Sequence, residues 1–373
     1  MDYREIKTPA FILDLDILEQ NINAYQESAH KHNKRLWPMI KTHKSTEIAQ
    51  MQSNAGASGF LAGTLDECES LQKTGTKNIM YAYPVADKHN ISRVIELSKN
   101  CNFSICLDSA DAACLIDEAA VNSGVAVQYL IIIDSGLHRF GVQPQNAAEL
   151  AKALACKKGL KLIGITTHPG HVYAGSDPEH VRKCALDECS ALKTAYEALK
   201  NTGFACEIVS SGSTPTFNNE VGDDLINMVH PGNYVFNDVI QIANGTAQQS
   251  ECALSVLATV ISHPSEDIYI CNAGSKCLGL DAGAHGNDSI KGFGLVKSHQ
   301  ELSLIGLSEE VGKLKAGGLT KLKIGDKIEI IPNHACSAAN MTGYMYGIRK
   351  GCFERFITVD MRNNSGKPLT NFG

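Results

Sequence analysis

Three short stretches of this 373-residue chain carry residue types whose spacing could do chemistry. The first is Leu36-Trp37-Pro38-Met39-Ile40-Lys41-Thr42-His43-Lys44, an apolar run that delivers a lysine where a buried strand should surface. Burial disfavours an ammonium, and Lys44 and His43 as cationic neighbours push the same way. Lys41 is thus expected to be partly neutral near neutrality and able to condense with an aldehyde. The alternative is that both lysines point into water at a strand end. The second stretch, Ser210-Ser-Gly-Ser-Thr-Pro-Thr216, is a turn whose free N–H groups and hydroxyls could wrap a phosphate, with Gly232 and Asn233 as the opposite wall. It could equally be a polar turn stiffened by Pro215. The third is His334-Ala-Cys336. On a strand this spacing puts both side chains on one face, where Zn–N and Zn–S bonds of about 2.1 and 2.3 Å can converge. The alternative is a buried cysteine beside a surface histidine.

These groups need a scaffold, and the sequence supplies a rhythm for one. Helical periodicity over 14–33 is followed by the lysine strand at 36–40 and a helix from Ser45. Apolar runs recur at 57–62, 79–83, 103–107, 127–134, 162–168, 206–210 and 225–229, with amphipathic stretches such as 109–122 and 177–201 between them. That makes roughly eight strand-helix units, the number that closes a parallel barrel. An open doubly wound sheet would call for a Gly-x-Gly-x-x-Gly turn after its first strand, and none occurs. Beyond Cys252 the helical patterns give way to strand-like runs at 254–262, 267–272, 301–307, 327–332 and 353–359, joined by glycine-rich connections such as 279–286. The expected architecture is an α/β chain: a TIM (β/α)8 barrel over 1–240, then a mostly β domain over 241–373. The boundary falls within 238–250, and the first few residues are free to join the β domain. In a barrel the chemistry sits on the loops after the strands. Lys41 follows the first strand, Asp134-Ser-Gly-Leu-His-Arg139 the fifth, His168-Pro-Gly-His-Val-Tyr173 the sixth, and the glycine-hydroxyl turn the seventh. His230-Pro-Gly-Asn-Tyr234 follows the last.

Composition narrows the classes. With 43% hydrophobic and 20% charged residues the chain can bury a sizeable core. A net charge of -6 and no block of lysine or arginine argue against nucleic acid or an anionic membrane as partner. The N-terminus has no apolar core before a cleavage site and no stretch approaches a membrane span, so a cytoplasmic location is expected. Thirteen cysteines, an odd number with no Cys-x-x-Cys pair, are expected to be mostly reduced and buried.

A nucleophilic lysine and a phosphate cradle on one barrel rim point to pyridoxal 5'-phosphate, whose aldehyde needs the one and whose phosphate needs the other. Seven stretches spread over almost the whole chain carry a resemblance. They are Thr8-Pro-Ala-Phe-Ile-Leu-Asp-Leu-Asp16, Lys41-Thr-His-Lys44, Asp134 to Arg139, Ser211-Gly-Ser-Thr-Pro-Thr216, Pro231-Gly-Asn-Tyr-Val-Phe236, Asn272-Ala-Gly-Ser-Lys276 and Pro332-Asn-His-Ala-Cys336. In these the chain resembles the fold-type III pyridoxal-phosphate enzymes, and within them the D-threonine aldolase and D-serine dehydratase family with its alanine-racemase-like barrel. The resemblance implies a homodimer with shared active sites and Lys41 as the lysine that joins the cofactor. It places Arg139 against the cofactor's phenolic oxygen and gives the phosphate to Gly212, Ser213, Thr214, Gly232 and Asn233. Tyr173 would lie on the pyridine-nitrogen side and His168 on the ring face, although either could be a satisfied core residue. The family often has Arg-Pro-His before the lysine. Here Trp37-Pro38-Met39 would put two apolar groups near the cofactor and alter substrate contacts.

The same resemblance makes His334 and Cys336 the ligands of a divalent metal, with the remaining positions open to water or a substrate hydroxyl. A thiolate favours zinc. The implied activity is a lyase on D-β-hydroxy amino acids. If Lys41 removes the α-proton while the metal helps the hydroxyl leave, the products are a keto acid and ammonia, as in a D-serine dehydratase. If a base takes the hydroxyl proton instead, the Cα–Cβ bond breaks to glycine and an aldehyde, as in a D-threonine aldolase. The His-x-Cys pair resembles the dehydratases, since the aldolases tend to carry a carboxylate at the second position. A racemase would need a second base and no metal. A non-enzymatic carrier of the cofactor would need no β domain.

Overall fold

The alternation of apolar runs and amphipathic stretches resolves, in a computed structural model that describes residues 2–281, 287 and 289–362, into two sheets. Helices start where short polar side chains take up free amides. Asp14 Oδ1 accepts from Ile17 N at 3.0 Å to open Leu15–Lys31, and Asp177 Oδ1 accepts from His180 N at 2.8 Å to open Pro178–Asn201. Ser45 and Ser109 cap Thr46–Ala55 and Ala110–Asn122 in the same way.

After a first strand, β1 (Ala10–Asp14), come eight parallel strands: β2 (Arg35–Leu36), β3 (Phe60–Ala62), β4 (Asn78–Tyr81), β5 (Asn102–Leu107), β6 (Val127–Ile132), β7 (Leu160–Thr166), β8 (Ile208–Ser211) and β9 (Met228–Val229). Their order is β2-β9-β8-β7-β6-β5-β4-β3. The ring closes by a single bridge beyond β2, where Met39 lies opposite Leu61 and Leu61 N donates to Pro38 O at 3.0 Å. This closure decides for the barrel over the open sheet. Inside, Met39, Leu61, Met80, Leu130, Ile132 and Met228 pack as one cluster, and a larger apolar layer lies between barrel and helices.

Trp37 also points inward, but toward the other end of the barrel. It lines a polar cleft with Arg35, Ser58, Asn78, Asn102 and Gln128, near the N-terminal ends of the strands, and its Nε1 donates to Ser58 Oγ at 3.0 Å. The expected pair of apolar replacements near the cofactor is therefore a single one. The inside-outside alternation of a strand, together with its tilt, takes Trp37 to the floor and leaves Met39 at the rim.

The second sheet contains β10 (Leu254–Ser265), β11 (Ile268–Cys271), β12 (Gly294–Val296), β13 (Leu302–Leu307), β14 (Gly312–Ala316), β15 (Lys327–Pro332), β16 (Tyr344–Arg349) and β17 (Cys352–Thr358). The path β13-β14-β11-β10-β1-β16-β17 places the first strand of the chain in the middle, antiparallel to β10 and parallel to β16. Its core joins Leu13, Val256, Ile330 and Met345 to Leu18 of the first helix and to Tyr234 and Phe236, so the sheet packs directly against one side of the barrel rim. The glycine-rich connection 279–286 falls largely outside the described residues. Among the described residues no helix is long and apolar enough to cross a membrane, and all thirteen cysteines are unpaired.

Candidate active site

The C-terminal ends of the barrel strands open onto one cavity. Lys41, Arg139, His168, Tyr173, Gly212, Ser213, Gly232 and Asn233 line it, and so do His334 and Cys336 from beyond the barrel. Thr214 lies just behind the wall, buried, with its Oγ1 accepting from Tyr234 N at 3.0 Å. Residues far apart in the chain thus meet at one rim.

Lys41 sits in the single turn Ile40–Thr42, immediately past the bridge that closes the ring. Its expected cationic neighbours are quenched. His43 is fully buried, its Nδ1 accepts from Ser45 N at 3.2 Å, and burial pushes its pKa down to about 3, so it is neutral. Lys44, at φ 48°, turns away from the cavity and forms a buried ion pair with Glu67, whose other oxygen accepts from Gly63 N at 2.7 Å. Two further histidines flank the cavity. Burial, then the charge of Lys41, holds His168 well below its ordinary range, and burial brings His230 to about 4. Neutral His168 therefore donates from Nδ1 to Gly212 O at 3.0 Å, fixing the ring and leaving Nε2 as an acceptor.

The glycine-hydroxyl loop has no room for side chains where it approaches its neighbours. Gly212 holds φ +152°, and a Cβ there would lie 2.9 Å from His230 N; a Cβ on Gly232 would lie 3.1 Å from Met39 O and from Thr42 Oγ1. Bare backbone and the Ser213 hydroxyl thus form this wall, which suits a phosphate. The N–H of Thr214 points at the Tyr173 hydroxyl, and Cys336 and Asp238 bear on the same phenol. Tyr173 therefore stands between the glycine-hydroxyl loop and the second-domain corner. Its turn is tied down by Asn287, whose Nδ2 donates to Tyr173 O at 3.1 Å and Gly175 O at 2.9 Å. Arg139 hangs on a loop shaped by Asp134, which accepts from Gly136 N and His138 N at 3.0 Å each. Its guanidinium lies over the rings of Tyr83 and Phe140 at 5.8 and 5.1 Å.

His334 and Cys336 are not on a strand. Strand β15 ends at Pro332, His334 is extended at φ -131°, and Cys336 lies in the first turn of Ala335–Ala339. The sharp turn brings the two together because Asp238 props it from below. Asp238 is fully buried, and its Oδ2 accepts from Ala335 N at 2.9 Å, from Asn233 Nδ2 at 2.5 Å and from His334 Nδ1 at 3.2 Å. Burial raises the Cys336 thiol, but the facing His334 outweighs it and brings the pKa below the ordinary range. His334 in turn is held well above its usual value: burial works against the charge, and Cys336 and Asp238 more than compensate. A thiolate facing an imidazole whose other nitrogen is taken by a carboxylate is a donor set that suits zinc. Thr42 Oγ1 lies 3.2 Å from Cys336 Sγ, linking the lysine turn to this corner. Among the described residues no three His, Cys, Asp or Glu side chains cluster as metal ligands, so the protein offers a pair.

Asp238 and Thr42 were not singled out from sequence, and His230 was named only as the start of the loop after the last strand. The partners of Asp238 and Thr42 lie 96 and 294 positions away, so no local spacing announces them.

A barrel whose rim carries a lysine, roofed by a strand domain, defines the alanine-racemase-like class. Residues 13–238 match the family described as "Alanine racemase, N-terminal domain", and residues 253–348 match "Putative serine dehydratase domain". The chain belongs to this fold-type III pyridoxal-phosphate family. It is 34% identical to the D-threo-3-hydroxyaspartate dehydratase of Delftia sp. (strain HT23), over 89% of this chain and 91% of the relative. It is 30% identical to the 3-hydroxy-D-aspartate aldolase of Paracoccus denitrificans (strain Pd 1222), over 97% and 94%, and 30% identical to the D-serine dehydratase of Dictyostelium discoideum, over 91% and 93%. The solved structure of a D-threo-3-hydroxyaspartate dehydratase variant, a cysteine replaced by alanine in the metal-free form, superposes with a TM-score of 0.89 at 31% identity, covering 96% of this chain and 99% of the other.

Proposed function

We propose that the protein is a lyase dependent on pyridoxal phosphate and a divalent metal, zinc by its donor set, that converts D-3-hydroxy amino acids of the D-serine type to a keto acid and ammonia. One observation carries this reading: Lys41, the glycine-hydroxyl loop and the His334–Cys336 corner line a single cavity. Bound there, the cofactor supplies an electron sink at the substrate α-carbon and the metal a Lewis acid at the β-hydroxyl. The chain's own residues do the rest. Lys41 Nζ takes the α-proton. Gly212, Ser213, Thr214, Gly232 and Asn233 hold the phosphate, and Arg139 meets the phenolic oxygen from the open rim. Asp238 accepts the Nδ1–H of His334 and so aims Nε2 outward. Met39, Leu61 and Ile132 give the cavity an apolar wall that excludes water. Loss of the α-hydrogen and the β-hydroxyl releases one water, and hydration of the resulting enamine releases ammonia.

The dehydratase relatives at 34% and 30% identity and the His-x-Cys spacing support this reading. The metal-free cysteine variant of a relative supports the metal. The 3-hydroxy-D-aspartate aldolase relative supports a second reading, cleavage of Cα–Cβ to glycine and an aldehyde. On the same reading the working unit is a cytoplasmic homodimer, with a barrel over 1–240 and a metal-bearing β domain over 241–373. Incubation with D-serine and D-threonine, with metal added or chelated, tests it. Pyruvate and ammonia from D-serine, none from L-serine and none after chelation are expected. Glycine with acetaldehyde from D-threonine would select the aldolase. Interconversion of enantiomers with neither ammonia nor glycine released would reject both.

A further inference from the structure

Lys44 and Glu67 carry two charges into a buried place beside Lys41, and the proposed chemistry uses neither. Stability alone gives little reason for such a pair, since apolar residues of similar volume often serve as well. What the pair can supply is a fixed geometry between the elements that it joins.

Glu67 is the third residue of the helix Leu65–Lys73, and its N donates to Oγ1 of the capping Thr64 at 3.1 Å. In a Thr-x-x-Glu start of this kind the glutamate ordinarily reaches back to the amide of the cap residue. Here it goes elsewhere. Oε2 accepts from Gly63 N at 2.7 Å, one residue earlier, and Oε1 meets the ammonium of Lys44. Lys44 N in turn donates to Ile40 O at 2.9 Å and closes the turn in which Lys41 sits. One carboxylate thus ties that turn to the backbone just past β3.

Gly63 is also where the stem of Lys41 lies. A Cβ on Gly63 would be 3.2 Å from Lys41 Cβ, 3.5 Å from Lys41 Cδ and 3.6 Å from Glu67 Oε2. The Cβ of Lys41 is fixed to its own backbone, so a side chain at 63 would displace the turn rather than a rotamer. A lysine loses much rotamer freedom when its nitrogen is held in one place. Packed along bare backbone, Lys41 has given up part of that freedom before the cofactor arrives. We propose that Glu67 is a positioning residue for Lys41: holding Lys44 with one oxygen and Gly63 N with the other, it keeps the bare backbone of Gly63 against the lysine stem and so sets Nζ for the aldehyde of the cofactor. This inference rests on the reading of Lys41 as the lysine that joins the cofactor.

The test compares the affinity of the full-length apoenzyme for pyridoxal 5'-phosphate with that for pyridoxine 5'-phosphate, whose alcohol in place of the aldehyde cannot condense with an amine. Contacts to ring and phosphate cancel, and the ratio reports what Lys41 contributes. In Glu67→Gln the amide offers one oxygen and puts an NH2 group against the other donor. The ratio should fall about tenfold, as expected if the lysine stem regains part of its freedom. In Gly63→Ala, which keeps the ion pair, the ratio should fall as well, and this variant carries the test if Glu67→Gln does not fold. A role in folding alone would weaken both ligands together and leave the ratio as it was. An unchanged ratio in either folded variant overturns the inference. Lys41→Ala separates the two failures. If it removes the preference for the aldehyde while the other variants keep it, the lysine stands and its seat falls; if it leaves the preference intact, Lys41 does not join the cofactor and the seat falls with it.

Discussion

The proposed cofactor side and the proposed metal side of the cavity are built in different ways. On the cofactor side each wall is a loop that leaves the end of its own barrel strand, and the ring positions neighbouring loops. Gly212 and Gly232 follow β8 and β9, and His230 N hydrogen-bonds to Ser211 O at 3.0 Å. The metal side is one short turn, His334 to Cys336, which depends on a buried carboxylate from after the barrel and a hydroxyl from beside Lys41. A scaffold that repeats places its residues by repetition. A corner that occurs once needs partners from a distance, and these can be removed one at a time.

That contrast can be tested by substitution. The largest effect is expected from Lys41→Ala, which should abolish both turnover and the visible absorption band of bound cofactor. Lys44→Ala should keep the band in whatever protein folds, while leaving Glu67 buried without its cation at a cost of about 3–5 kcal/mol in a denaturation curve. A band that survives the first variant and vanishes in the second would exchange the two lysines. Cys336→Ala, or chelation, should lower turnover about a thousandfold with the cofactor still bound by absorbance. Full activity after exhaustive chelation would remove the metal from the reaction. Gly212→Val should weaken cofactor affinity about a hundredfold, because the added Cβ meets backbone at 2.9 Å and strain of this kind costs about 1–3 kcal/mol. Metal content by atomic absorption should not change, and an equal loss of metal would mean the two sides are not separate. Asp238→Asn should have the smallest effect, about a tenfold loss of metal affinity by competition with a chelator. Unaltered metal affinity there would show that the corner stands without its prop.

The same contrast explains which parts were legible in the sequence. The barrel was readable because most strand-helix units repeat a local pattern with a side-chain cap, as at Asp14, Ser45, Ser109 and Asp177. Lys41 and the glycine-hydroxyl loop were readable because a strand end fixes the position of the loop that leaves it. Strand β14 was missed although Leu314 is buried between exposed Lys313 and Lys315, because a three-residue alternation between glycines is too short to stand out. The turn at His334 read as strand because Ile330, Ile331 and Pro332 precede it, and the carboxylate that bends it is 96 positions away. The fates of His43 and Lys44 were hidden for a related reason. Whether a charge next to a lysine acts on it depends on the other groups it meets, and Lys44 meets Glu67 from 23 positions further along, beyond a helix and a strand.

Strand β1 lies between β10 and β16, with hydrogen bonds to both. During synthesis the ribosome releases β1 first and its two neighbours only after the whole barrel has emerged. The barrel strands can pair in sequence as each appears, but β1 must wait with both edges open, a state that invites pairing with a nascent chain nearby. The corner that holds Cys336 hangs from β15, which pairs with β10, so it too is completed late. In the cell the two halves of the site are then finished at different times. A lysine ready to meet the cofactor exists before the pair that would hold the metal, and a chaperone that shields β1 would protect the yield of complete sites.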